Sequence, residues 1–246
     1  MFKILPAFFL FLLVMQSSEA GMAIVGTRII YPGNEKEITV RTKNKTGAPI
    51  LSQVWIDDGS TNEDIDKSKI PFIVTPPIFR VEPNSGQSLK MIYNGMNLPQ
   101  DKESVFWFNL LEIPPVDTSN IGQKLEIAFR TRIKVFYRPA ALLKIKMPDI
   151  TKFLHWSVIH DTEHGIRFRV ENMGPFYFSF DDGTVFIDNK KVGVKMNMVP
   201  PKSSAIFFPE QRVTSFSEFE YSFINDLGVK VDKVLVWNKI DGLKEK

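Results

Sequence analysis

Residues 124–139 read KLEIAFRTRIKVFYRP, and side chains of two types alternate along this stretch. The odd positions are Leu125, Ile127, Phe129, Thr131, Ile133 and Val135, and the even positions include Glu126, Arg130, Arg132 and Lys134. Side chains of a β-strand point alternately to opposite faces, so the pattern predicts a long strand with one apolar face and one mainly basic face. Pro139 is incompatible with the interior of a sheet and predicts the end of this strand.

Working outward from this strand, the chain shows short apolar runs separated by Gly, Pro, Asn and Asp, and no segment keeps a helical period over three turns. Before it, the runs cover residues 23–31, 37–42, 50–56, 72–74, 78–81, 88–93 and 104–113. After it, they cover residues 142–146, 156–159, 167–171, 177–180, 185–187, 192–194, 204–208, 219–224 and 231–237. Such spacing is typical of β-sandwiches, and the sequence predicts an all-β fold.

The best candidate for a domain boundary is residues 138–141, where Pro139 follows enough strands for one sandwich. We therefore predict two β-sandwich domains, at residues 21–139 and 140–246. Residues 1–20 are predicted to be a cleaved signal peptide, because Lys3 precedes an apolar run and small residues precede Gly21. That run, residues 4–15, is too short to cross a bilayer, which takes about 20 residues. No later run is longer, so we predict no membrane insertion of the mature chain.

Composition excludes several classes of function. The chain has no cysteine, 3 His and a formal charge of +3, from 31 Lys+Arg and 28 Asp+Glu. No thiol chemistry is available, and the charge is too mild for a dedicated nucleic-acid binder. Motifs of hydrolases, phosphate-binding loops and zinc proteases are absent. His160 and His164 flank a predicted turn and suggest no metal site. The sequence predicts no enzyme activity, no cofactor and no metal.

The apolar row of the long strand has two interpretations. Leu125, Ile127 and Phe129 could face the core of their own domain, which the pattern alone favours. Alternatively, they could lie on an edge strand that offers apolar side chains and free backbone groups to another chain. Proteins normally protect such an edge, so an unprotected one indicates a partner that pairs with it.

Several motifs together resemble the PapD-like periplasmic pilus chaperones. They are TRIIY at 27–31, QVWID at 53–57, TPPIFRVEP at 75–83, ESVFWFN at 103–109, IPP at 113–115, RIKVFYRP at 132–139, PPKS at 200–203 and INDLG at 224–228. The resemblance implies two immunoglobulin-like domains set in an L with a cleft between them. It also implies a periplasmic chaperone that binds pilus or fimbrial subunits and delivers them to an outer-membrane usher.

The same resemblance assigns roles to individual residues. Arg28 and Lys134 match the pair that anchors the C-terminal carboxylate of a subunit. Leu125, Ile127 and Phe129 match the strand that is donated to the subunit, although Lys134 has the opposite parity and would need strand twist or a bulge to reach the same partner. Glu103, Arg138 and Asp226 match a charged cluster that sets the angle between the domains. The loop from Ile113 to Leu125 resembles the short-loop subclass.

Other functions remain open from the sequence. The chain could itself be a secreted pilin or adhesin, but its last residues, 241–246, are charged and lack the apolar alternation of a subunit's final strand. It could be a carbohydrate-binding sandwich, but its four tryptophans stand within strand runs and are expected in the core. Whether the free protein caps itself as a homo-oligomer is also open.

Overall fold

The computed structural model describes residues 21–60, 70–113, 127–145, 147–187, 190–238 and 242–245. Nine strands lie in the described part of the first half. They are β1 (Met22–Ile24), β2 (Arg28–Pro32), β3 (Glu37–Asn44), β4 (Ile50–Asp57), β5 (Phe72–Thr75), β6 (Ile78–Val81), β7 (Gly86–Tyr93), β8 (Ser104–Ile113) and β9 (Phe129–Arg138). One sheet has the order β1-β3-β7-β5 and the other β2-β9-β8-β4-β6. Neighbouring strands are antiparallel except β2 and β9, which are parallel.

The second half repeats this two-sheet plan. Its strands are β10 (Leu154–Asp161), β11 (Gly165–Asn172), β12 (Phe178–Ile187), β13 (Lys190–Lys195), β14 (Met198–Val199), β15 (Ser203–Phe207), β16 (Glu218–Ile224), β17 (Lys230–Asn238) and β18 (Gly242–Glu245). One sheet has the order β10-β11-β15, and the other the order β13-β12-β16-β17-β18 with β14 beside β12. The described residues between the two halves form short 3-10 segments, Ala140–Lys144 and Met147–Phe153.

Each half has its own apolar core between its two sheets. Inward-facing side chains, at every second position of the strands, supply each core. This alternation explains why the sequence pattern predicts most of the strands. Among the fully buried side chains of the first core are Tyr31, Leu89, Met91, Phe108, Leu110 and Val135. Those of the second include Phe168, Val170, Phe178, Val185, Val199 and Phe219. The predicted all-β fold is confirmed, and the domain limits at 139 and 140 stay a prediction.

The structure corrects several strand assignments. Residues 23–31 form two strands in different sheets, because Gly26 has a φ of 102°, which lets the chain turn between them. The predicted strand at 142–146 is not observed at residues 142–145, because the 3-10 turn after Pro139 places Leu142 in the second core; residue 146 lies outside the described residues. The runs 177–180 and 185–187 belong to one strand, β12, whose pairing with β16 shifts register between Phe180 and Gly183.

The charged segment at the end of the chain also differs from expectation. Residues 242–245 form β18 and pair with β17, and Leu243 is buried in the second core. This segment is therefore the edge strand of its sheet.

Candidate functional site

Arg28 and Lys134 lie side by side at the junction of the two halves. Arg28 begins β2, and its register partner on the parallel strand β9 is Lys134, so both side chains leave the same face of the sheet. Both are half-buried. The two cations line an open groove together with residues of both halves, namely Thr27, Trp107, Arg132, Ile133, Ile224 and Gly228.

The charges of this pair are poorly compensated. Arg28 Nη1 donates a hydrogen bond to the carbonyl of Ile224 at 2.7 Å, and its Nε is buried without a partner. Burial lowers the pKa of Arg28, against the opposing effects of Asp226 and Glu103. Burial also lowers the pKa of Lys134, and the neighbouring charge of Arg28 lowers it further. Lys134 has no carboxylate partner in the described part of the chain, so the groove is suited to an anion.

The apolar side chains next to this groove are at the surface. Ile127 is 54% exposed and Phe129 is 62% exposed. Val135 has the same parity and is fully buried. The core interpretation of Ile127 and Phe129 is therefore wrong. Leu125 lies outside the described residues.

The two edges of β9 are paired over different lengths. Strand β8 pairs with β9 along residues 129–137, but β2 pairs with its other edge only from Lys134 onward. Residues 129–133 therefore have no strand on their outer edge among the described residues. Register along both pairings is continuous, so the bulge that the opposite parity of Lys134 seemed to require is absent. The free edge of β9 ends where the groove lined by Arg28 and Lys134 begins.

The three residues of the predicted charged cluster come together between the two halves. Arg138 Nε donates to Glu103 Oε1 at 2.8 Å, while Nη1 and Nη2 donate to Asp226 at 2.6 and 2.9 Å. The backbone N–H of Tyr177 donates to Glu103 Oε2 at 2.8 Å. Glu103 and Arg138 are buried, at 3% and 7% exposure.

Both buried members of the cluster have shifted pKa values. Burial raises the pKa of Glu103, and the charge of Arg138 opposes the rise. Burial acts to lower the pKa of Arg138, but hydrogen bonds and charges from Asp226 and Glu103 outweigh it and raise that pKa. Arg138 thus joins its own domain to a carboxylate of the second half through a guanidinium whose three nitrogens all donate hydrogen bonds.

Sequence analysis missed a polar cluster on the outer face of the same sheet. Trp55 and Trp107 were expected in the core. Instead, both rings are partly exposed and covered by the guanidinium groups of Arg130 and Arg132, at 5.0 and 4.9 Å from the ring centroids. The sequence signal for this cluster was alternation, since Trp55 and Asp57 occupy the positions of β4 that alternate with the core residues Val54 and Ile56. Covered rings also offer no open aromatic platform for a glycan.

Other kinds of site find little support. In the parts of the chain that the structure describes, no three His, Asp or Glu side chains are grouped so as to hold a metal ion. No helix in those parts is both long and apolar enough to span a membrane. His164 lies at an exposed turn, close to Asp161.

Comparison with known proteins gives a consistent result. Residues 21–143 match the family model for the pili and flagellar-assembly chaperone, PapD N-terminal domain. Residues 149–234 match the model for the pili assembly chaperone PapD, C-terminal domain.

Individual relatives cover most of the chain. The probable fimbrial chaperone YadV of Escherichia coli K12 is 39% identical over 194 residues, which are 77% of this chain and 78% of YadV. The chaperone protein HifB of Haemophilus influenzae is 37% identical over 217 residues, 86% of each chain. Among solved structures, a chain of the Salmonella enterica SafA pilin complex with the SafB chaperone aligns with a TM-score of 0.71 and 26% identity, covering 90% of this chain and 98% of that chain. The predicted fold class, two immunoglobulin-like β-sandwiches with a cleft between them, is confirmed.

Proposed function

Because the chain belongs to the PapD family of pili assembly chaperones, we propose that it captures pilus subunits by donating the free edge of β9 to them. The observation that carries this proposal is the meeting of two features at one place. The unpaired edge of β9 and the exposed apolar side chains lead to the groove lined by Arg28 and Lys134, whose charges are poorly compensated. A chain that adds a strand to β9 would use both.

The geometry of the sheet favours one direction for the added strand. Strand β2 occupies the outer edge of β9 from Lys134 onward and runs parallel to it. A partner strand beside residues 129–133 would continue the row of β2 and end at Arg28. If that strand is also parallel to β9, its carboxyl end meets Arg28 and Lys134. Cations favour a carboxylate over an amino terminus, so the charge pair selects the parallel orientation.

The exposed apolar row would supply core residues to the subunit. Ile127 and Phe129, with Leu125 preceding them, stand at alternate positions and would fill a groove that lacks a strand. Burying such a side chain contributes about 1.5–3 kcal/mol before the costs of ordering and association are subtracted. The partner would gain part of its core, and the aggregation-prone edge of the chaperone would be covered. A second copy of this chain could cover the same edge when no subunit is present.

The cluster of Glu103, Arg138 and Asp226 is proposed to set the orientation of the two domains around the cleft. A guanidinium with carboxylates on two sides is directionally restrained, while its net contribution to stability is small because burial of the charges is costly. Residues 1–20 are proposed to direct export to the periplasm, where an outer-membrane usher would receive the loaded chaperone. The complex of SafA pilin with the SafB chaperone supports subunits as the partners.

Refolding a subunit in the presence of the chaperone tests this function. A purified pilus subunit, denatured in guanidinium chloride, is diluted into wild-type protein, Arg28→Ala or Arg41→Ala. Arg41 is an exposed arginine on the opposite sheet and serves as the matched control. We expect soluble complexes with wild type and Arg41→Ala, and binding about 10- to 100-fold weaker with Arg28→Ala, since one charge-assisted hydrogen bond is lost. Equal capture by folded Arg28→Ala would contradict the anchor, and no capture by wild type would contradict the proposed function.

A further inference from the structure

A buried carboxylate joins three strands on the outer face of the first domain. Asp57 ends β4, and its side chain is 3% exposed. It accepts hydrogen bonds from Asn109 Nδ2 of β8 at 2.8 Å and from Arg130 Nη2 of β9 at 3.2 Å, and a further one from Arg132 Nη2. One carboxylate therefore links the free-edged strand β9 to β4, two strands away.

Asn109 completes this link between the strands. It is fully buried, and its Oδ1 accepts hydrogen bonds from Arg130 Nε and Nη2 at 3.0 and 2.7 Å. The guanidinium groups of Arg130 and Arg132 also lie over Trp55 and Trp107, which adds a cation–π contact to each arginine. Both arginines are thereby held in one orientation, although their side chains are 47% and 35% exposed. We name Asp57, Asn109, Arg130 and Arg132 the β9 clamp.

The position of the β9 clamp coincides with the unsupported part of the strand. Its two arginines alternate with Phe129, Thr131 and Ile133, the stretch where the outer edge of β9 has no neighbouring strand. A strand bonded on one side only, with exposed apolar side chains, is prone to local opening. The β9 clamp holds this stretch from the face opposite to the apolar row, so it leaves the row and the free edge accessible.

We propose that Asp57 is a positioning residue that keeps residues 129–133 of β9 extended and in register before a subunit arrives. The inference rests on the proposed function, because it assumes that this edge is the one donated. A partner that meets a preformed strand avoids the entropy cost of ordering it, and association is faster and tighter as a result. The β9 clamp holds the strand with one carboxylate and two arginines. Its net charge is therefore positive, and the face of the sheet next to Arg28 and Lys134 stays positive.

Two variants separate this role from simple domain stability. Asp57→Asn keeps the shape and removes the charge. Arg130→Gln opens the β9 clamp while Arg132 still pairs with Asp57, so no buried carboxylate is left alone and we expect folding to be retained. Glu82→Gln is the matched control, because it removes an exposed carboxylate that pairs with Arg80 at 3.1 Å in the same domain.

The measurements are amide hydrogen exchange of the free protein and the capture rate of a denatured pilus subunit. In both clamp variants we expect exchange at residues 129–133 to accelerate about tenfold or more, with β3 unchanged, and the capture rate to fall by a similar factor. Glu82→Gln should match wild type in both.

Each alternative outcome has a defined meaning. Unchanged exchange at 129–133 in Arg130→Gln would show that the β9 clamp does not hold the strand and would overturn the proposal. Faster exchange with an undiminished capture rate would assign the β9 clamp to stability alone and would equally overturn it. A wild-type protein that captures no subunit contradicts the proposed function itself, and this result is distinguishable because the exchange data are collected without a subunit.

Discussion

At the scale of single residues, Lys134 is a half-buried cation whose charge is costly to the stability of the free protein. Its pKa is lowered by burial and by Arg28, so the charged form is less favourable in the folded chain than in the unfolded one. We predict that Lys134→Met raises the melting temperature of the free protein at neutral pH and weakens subunit binding about 10- to 100-fold, since one charge-assisted hydrogen bond is lost. The gain should shrink as the pH rises through the lowered pKa toward the ordinary value of 10.5, where wild-type Lys134 also becomes neutral. Thermal melts across this pH range provide the measurement.

Lys90→Met is the matched control for this prediction. Lys90 is exposed on β7 and pairs with Glu37 at 2.9 Å, so its charge is favourably placed and its removal should not stabilise the protein. A fall in melting temperature for Lys134→Met, equal to or larger than that of Lys90→Met, would contradict the assignment of Lys134 as an uncompensated cation.

At the scale of the element, β9 is one strand with two different environments. Ile127 precedes the region that β2 covers, whereas Val135 lies within it. We predict that Ile127→Asp barely changes the melting temperature but abolishes capture, because the new carboxylate stays in water until a subunit groove would bury it. Val135→Asp is the internal comparison and should cost several kcal/mol of stability, since it places an unpaired charge in the core.

Melting curves and one capture assay on the two variants test this prediction. A large loss of stability in Ile127→Asp would return that residue to the core of its own domain. Normal capture by folded Ile127→Asp would remove the apolar row from the binding surface.

At the scale of the whole molecule, two ion pairs of different burial connect the domains within the described part of the chain. Arg138 and Asp226 meet in a largely buried cluster, and Lys202 and Asp101 meet in an exposed pair at 2.6 Å. We predict that Asp226→Asn leaves both sandwiches folded but broadens their relative orientation, because Arg138 loses one of its charged partners. Asp101→Asn should have no such effect, since exposed pairs contribute about 0–1 kcal/mol.

Small-angle X-ray scattering of wild type and the two variants measures this difference. Scattering profiles of Asp226→Asn and wild type that superimpose, together with intact subunit capture, would show that the cluster does not set the domain orientation.

Local patterns in the sequence were sufficient to predict the all-β fold and most of the strands. Alternation along β9 and short apolar runs at β4 and β8 identified these strands, because a pleated strand exposes its side chains with a period of two wherever it is placed. Motif order then indicated the family and the residues of the charged cluster. Strand assignment failed at Gly26 and Leu142, where a turn or a tertiary contact outweighed the local preference of the chain.

Tertiary structure decided which of these residues are available to a partner. Ile127 and Val135 have the same parity and the same apolar character, but Ile127 precedes β9 and is exposed, whereas Val135 lies within β9 and is buried in the first core. Asp57 lies more than 70 positions before Arg130 in the chain, and only the strand order β9-β8-β4 brings their side chains together. Burial and contact depend on which strands become neighbours, and strand neighbours are selected by long-range pairing that no local pattern records.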